Sequence, residues 1–167
     1  METREMERNI SRLASNRDNR YEEGILGIWN RYTVGIAGER FLRHIKDEGK
    51  IYGSRCPKCK ALYLPARMFC EMCFTEIPDE NWEEVGLSGK LYSFSVVYRD
   101  INEKLLDKPV VVGIVEFGSP TARLVHFLGE VEPNKLKIGA KFEAVLKDRS
   151  ERKGSILDIK YFRPVAR

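Results

Sequence analysis

The strongest constraint on this chain is where it keeps its sulfur. All four cysteines of the 167-residue sequence fall in one short stretch, as Cys56-Pro57-Lys58-Cys59 and Cys70-Glu71-Met72-Cys73, with ten residues between the two hooks. A C-x2-C turn sets two thiolates on one side of a tight knuckle, and the spacer is long enough for both knuckles to face one point. Four thiolates at about 2.3 Å suit Zn²⁺, and a closed Cys₄ set leaves no open position for water, so the expected role is structural. Two disulfides fit poorly: the polar opening Met1-Glu2-Thr3-Arg4-Glu5 is no secretory leader, and cytosolic thiols stay reduced. Four unpaired buried thiols are the other alternative. Iron is the closest rival, because rubredoxin-type sites use the same ligands. Those knuckles normally continue into glycine, where this chain has Lys60 and Phe74. A colourless protein favours zinc.

A metal ribbon is too small to bury a core and relies on its ion, so most apolar side chains are expected downstream. The length allows one ordinary domain or two small ones. A formal charge of +4 with 32% charged residues of both signs interspersed describes a soluble surface better than a polyanion binder. No apolar run approaches the roughly 20 residues of a membrane span. The expected location is cytoplasmic.

In chain order, residues 1–20 are too polar to bury surface of their own. Ile25, Leu26, Ile28 and Trp29 then form an apolar group beside Gly24 and Gly27, suited to packing on the body or to docking a partner. Phe41, Leu42 and Ile45 give one apolar stripe on a short helix that Gly49 ends. Residues 50–55 read as a strand into the first knuckle. Leu62-Tyr63-Leu64-Pro65 is extended, predicting a small antiparallel hairpin around the metal. Five β-rich stretches follow at about 82–98, 109–117, 121–129, 141–148 and 155–162, with a turn-prone insertion of at most one helical turn at 133–139. In the first stretch Tyr92, Phe94, Val96 and Tyr98 alternate with Leu91, Ser93, Ser95 and Val97, and such an aromatic face is more often core than base-stacking surface. Five antiparallel strands with that insertion match an OB-type barrel. The expected class is mainly β: an N-terminal tail and helical arm (1–48), a rubredoxin-like zinc ribbon (49–80) and a five-stranded OB-fold barrel (81–167).

These residues also meet a known pattern. The order Arg55-Cys56-x-x-Cys59, Tyr63-x-Pro65-x-Arg67, Cys70-x-x-Cys73, Ser88-Gly89-x-Leu91-Tyr92, Pro109, Val115-Glu116, Leu136-x-x-Gly139 and Phe162-x-Pro164 resembles the zinc-ribbon/OB-fold family of acyl-CoA-associated proteins, long kept under a domain-of-unknown-function label. The resemblance covers residues 41–164. It departs at Lys60 and Glu71, where the family often has glycine and proline. The resemblance implies an accessory or scaffold subunit, hetero-oligomeric with a thiolase-fold enzyme or a hydroxymethylglutaryl-CoA synthase, with CoA or acyl-CoA as a shared ligand.

No catalytic apparatus is legible. The thiols belong to the metal, there is no G-x-S-x-G elbow or phosphate-cradling loop, and His44 and His126 have no acid or nucleophile at a telling distance. Glu83 and Glu84 alternate across a strand and read as solvated charge. For CoA phosphates the candidates are Arg55, Lys58, Lys60 and Arg67 around the ribbon and Lys90 at its exit. The competing class is a nucleic-acid binder. Lys and Arg number fourteen against ten acids over residues 91–167 and five against six over 51–90, and Lys147, Arg149, Arg152 and Lys153 crowd one exposed turn. That is thin for a phosphate tracker, so nucleic acid is not expected. Substituting Cys56 or Cys70 by Ser is expected to unfold the ribbon and leave the barrel.

Overall fold

An apolar stripe sets the first element. In the computed structural model, which describes residues 32–165, helix α1 (Gly35–Arg43) continues through a wider π-type turn, His44–Glu48. Phe41 and Ile45 are buried and Leu42 is half-buried against the core. Gly49 stops the helix at φ 71°, a left-handed position that costs glycine nothing. The apolar group Ile25–Trp29 and the polar tail before it lie outside the described residues. No described helix is long and apolar enough to cross a membrane.

The ribbon carries one strand more than the expected hairpin. Strands β1 (Tyr52–Arg55), β2 (Leu62–Tyr63) and β3 (Trp82–Glu84) form a sheet in the order β2-β1-β3. The third comes from the stretch 82–98, read from sequence as a single barrel strand. The chain breaks after β3, where Gly86 has φ 76°, and resumes as β4 (Ser88–Arg99). Glu83 and Glu84 are paired, not merely solvated. Glu83 takes Arg55 at 2.5 and 2.8 Å and Glu84 takes Lys50 at 2.7 Å. Arg40 of α1 pairs with Asp79 just before β3.

β4 joins β5 (Leu105–Glu116), β6 (Arg123–Leu128), β7 (Lys141–Leu146) and β8 (Ile159–Pro164) in a closed barrel ordered β4-β5-β6-β8-β7. The fold is therefore mainly β, with an N-terminal helix, a ribbon holding the cysteines and an OB-type barrel. Not every pairing is antiparallel, because a ring with an odd number of strands cannot alternate direction throughout. The exception is β6 beside β8, where Leu128 faces Phe162. The insertion before β7 is a single 3₁₀ turn, Pro133–Lys135.

The aromatic face of β4 is core only in part: Phe94 and Val96 pack against the buried cluster and Tyr92 and Tyr98 do not. Leu91 pairs with Val115 and Ser93 with Ile114, so Tyr92 is the extra residue of a bulge and the inward face changes parity there. Leu91 is fully buried and Phe94 and Val96 are half-buried, whereas Tyr92 and Tyr98 are 47% and 58% exposed. Arg123 covers Tyr92, its guanidinium carbon 3.5 Å from the ring centre, and also pairs with Glu116.

Most of the core lies in the barrel, as expected, and it runs on into the ribbon. Ile51, Leu62, Leu64 and Ala66 belong to one buried cluster with Phe117, Ala122, Leu124, Phe142 and Phe162. Thr121 ties the two by donating from its hydroxyl to the Leu62 carbonyl at 2.6 Å. Of the four cations in the turn after β7, Arg152 is committed internally. It donates to the Lys147 carbonyl at 2.8 Å and reaches the Ile45 and Lys46 carbonyls at 3.4 Å, satisfying the end of the helix.

Candidate metal centre

The two knuckles repeat one backbone pattern. Cys56 N–H donates to the Ala61 carbonyl at 2.8 Å and Lys60 N–H to the Cys56 carbonyl at 3.0 Å; Cys70 N–H donates to Thr75 and Phe74 N–H to Cys70, each at 2.9 Å. The turn needs a left-handed residue just after its second cysteine, and Lys60 and Phe74 supply it at φ 64° and 55°. Both knuckles thus use the conformation glycine would adopt, at a cost of about 1–2 kcal/mol per side chain. The missing glycines therefore carry no weight between iron and zinc.

All four sulfurs lie within 4.8 Å of one another. Cys56 and Cys73 are separated by 3.5 Å, Cys59 and Cys70 by 3.4 Å. Four sulfurs at 2.3 Å from a tetrahedral ion stand about 3.8 Å apart, so the donor set fits Zn²⁺. Four thiolates this close repel one another without a cation among them. Cys56 and Cys70 are buried with Tyr63 and Ile77 in a small cluster of their own.

Sequence reasoning missed Tyr63 as part of this centre. Its ring is buried on β2, and its hydroxyl lies 3.2 Å from the Cys70 sulfur. The hydrogen bond with Cys70, aided by burial, pushes the Tyr63 hydroxyl up to about 12, so it keeps its proton and donates it. Burial pushes the Cys70 thiol up, but the Tyr63 hydroxyl and the N–H groups of Cys73 and Met72 outweigh burial and hold it at about 6. The available signal was a hydroxylated aromatic on the short strand between the hooks. Its direction becomes visible only once β2 pairs with β1.

The five candidate cations do not converge as one group. Arg55 is taken by Glu83 and also donates to the Lys60 carbonyl at 3.0 Å, which brings these two residues together on the first knuckle. Lys60 Nζ donates to the Pro57 carbonyl at 2.7 Å. Arg67 pairs with Glu71 and lies over the Tyr63 ring, 5.2 Å from its centre. Lys58 is exposed and has no side-chain partner among the described residues. Lys90 stands on the barrel, opposite Lys141 in register, in a cleft of about 360 Å³ that Glu116, Gly118 and Gly139 also line. His44 bonds Glu48 at 2.7 Å and stacks on Tyr52. His126 is buried and bonds the Ile156 carbonyl at 3.2 Å through Nε2.

Two family models match the chain. Residues 43–79 match the rubredoxin-like zinc ribbon domain of ChsH2, and residues 82–147 match its C-terminal OB-fold domain. A DUF35 domain-containing scaffold protein of Methanocaldococcus jannaschii is 33% identical over 110 residues, covering 65% of this chain and 75% of the relative. The chain belongs to the DUF35 family. A second DUF35 domain-containing scaffold protein, from Methanothermobacter thermautotrophicus, is 31% identical over 110 residues, covering 65% of this chain and 80% of the relative. Among solved structures, a DUF35 protein of unknown function from Sulfolobus solfataricus superposes with a TM-score of 0.55 at 31% identity, covering 66% of this chain and 78% of that one. The Ltp2–ChsH2(DUF35) aldolase shares the fold, with a TM-score of 0.55 at 23% identity over 80% of this chain and 98% of that one. In DUF35 terms, the cysteine cluster is the family's zinc ribbon and the β4–β8 barrel its OB fold.

Proposed function

We propose that this DUF35 chain is a non-catalytic accessory or scaffold subunit of an acyl-CoA-processing enzyme of thiolase or hydroxymethylglutaryl-CoA synthase type, and that it helps hold the CoA thioester. The observation that carries the reading is the likeness to a DUF35 scaffold protein over 75% of that relative's length. Two further points support it. The sulfur cluster fits a closed tetrahedral ion, which serves structure and not turnover. The fold also recurs in an aldolase named for two chains, Ltp2 and ChsH2(DUF35), which agrees with hetero-oligomeric assembly. In this reading Cys56, Cys59, Cys70 and Cys73 hold one zinc ion. CoA phosphates meet Lys58 and Lys60 first, since Arg55 and Arg67 are already ion-paired.

The test is purification of the native assembly under gentle conditions with identification of the co-purifying enzyme. Calorimetry with acyl-CoA follows, on the chain alone and mixed with that enzyme. A thiolase-type partner is expected, and a solitary monomer sinks the scaffold reading. Absence of acyl-CoA binding in both titrations removes the CoA role alone. Tight, salt-sensitive binding of single-stranded nucleic acid would reverse the choice of class.

A further inference from the structure

Between Met68 and Gly89 the sequence has no lysine or arginine and six carboxylates: Glu71, Glu76, Asp79, Glu80, Glu83 and Glu84. Four of these are neutralised by cations from outside the segment, Arg67, Arg40, Arg55 and Lys50. Glu76 and Glu80 are exposed and have no ion-pair partner among the described residues. The second knuckle also carries three large apolar side chains facing water: Phe69 is 56% exposed, Met72 71% and Phe74 84%.

Phe74 is the most telling of them. It holds the left-handed position of its knuckle at φ 55°, where glycine would be unstrained, and its ring gains almost no packing among the described residues. Backbone strain kept at an exposed aromatic points to a use outside the fold. The knuckle is also stiff, clamped by Cys70 and Cys73 at the metal and closed by the Phe69–Glu76 bridge. Apolar groups offered from a stiff backbone lose little entropy on binding.

We propose that the second zinc knuckle is a docking finger: Phe69, Met72 and Phe74 enter an apolar pocket of the partner enzyme, whose rim carries Lys or Arg facing Glu76 and Glu80. This rests on the scaffold reading and names the surface that serves it. A second copy of the chain is the poorer occupant, because a two-fold contact of finger on finger sets the same unpaired carboxylates against each other.

The finger is tested in the native assembly by hydroxyl-radical footprinting, which reads Met and Phe side chains directly, and by titrating the separately purified partner enzyme with the wild type and with Phe74→Gly. Expected are protection of Met72, Phe69 and Phe74 in the assembly relative to the isolated chain, and affinity weakened about 30-fold, a hot-spot loss, with zinc content and melting temperature unchanged or improved in Phe74→Gly. Glu76→Lys with Glu80→Lys, which keeps the apolar groups, is expected to weaken binding and flatten its salt dependence. An assembly that forms with Met72 unprotected and with Phe74→Gly at wild-type affinity overturns the finger and leaves the scaffold reading standing. Protection that appears in the isolated chain with rising concentration assigns the finger to a second copy and overturns the proposal. Failure of any assembly to form overturns both readings.

Discussion

The hydroxyl of Tyr63 points at the sulfur of Cys70 across 3.2 Å of buried space, so one thiolate of the candidate metal centre is steadied by a side chain from the neighbouring strand. A hydrogen bond to a thiolate lowers its basicity and fixes its direction, and outer partners of this kind are generally worth 10–100-fold in metal affinity. Tyr63→Phe keeps the ring and removes only the donor. Zinc affinity, measured by competition with a chelating dye, is expected to fall by about 10–100-fold, with the fold retained at saturating zinc. Unchanged affinity would show that the contact is incidental.

Removal of the metal is expected to weaken the whole of the described fold and not the ribbon alone. Leu62 and Leu64 lie between the hooks, yet they pack in the same buried cluster as Phe117 and Ala122 of the barrel. Chelation or Cys70→Ser should therefore lower the melting temperature in a single transition seen equally by circular dichroism and calorimetry. Two separate transitions, with the barrel unaffected, would restore the independence expected from sequence.

The pH dependence of stability should carry the mark of His126. Burial lowers its affinity for a proton, against smaller opposing hydrogen bonds with Ile156 and Phe127, and Nδ1 has no partner to receive one. In the unfolded chain the ring takes up a proton at about pH 6.5. Below that value the unfolded state holds more protons, so this contribution is complete above about pH 6.5 and declines as pH falls through it. His126→Gln keeps a donor for the Ile156 carbonyl and does not titrate. Denaturant midpoints of the variant, compared with the wild type between pH 7.5 and 5, should lose part of the acid-side slope; an identical slope would clear His126.

Lys60 offers a gain in stability. Its left-handed backbone at φ 64° costs about 1–2 kcal/mol, and glycine removes that while surrendering about 0.4–1 kcal/mol to the freer unfolded chain. Lys60→Gly is expected to stabilise by up to about 1 kcal/mol in urea unfolding, less the loss of the Nζ bond to Pro57. A clear loss would mean that this side-chain bond matters more than the strain.

Much of the fold was open to a reading of local pattern. Five β-rich stretches, a glycine-capped helix stripe at Phe41 and Ile45 and two C-x2-C hooks are signals that each reside in a few consecutive residues. The stretch from Trp82 onward was misread because nothing local shows that its first three residues pair with Tyr52–Ser54, some thirty positions earlier. The β4 bulge is similar: placing Tyr92 opposite no partner depends on β5, and that one extra residue faces solvent while Leu91 before it and Phe94 and Val96 after it all turn inward; Tyr98 is exposed at a second register shift, between Val97 and Arg99.

The sequence by itself determined the candidate metal-binding cysteines and the family of the fold, because thiolate chemistry and strand periodicity act over short distances along the chain. Only the tertiary structure decided how charge and apolar surface are spent. Arg55, Arg67, Arg40 and Lys50 could each have met a ligand, and folding gave them to Glu83, Glu71, Asp79 and Glu84. Phe69, Met72 and Phe74 could each have joined the core, and the knuckle turned them outward. Ion pairing and burial depend on which segments meet in space, and that is set by the packing of the whole barrel against the ribbon.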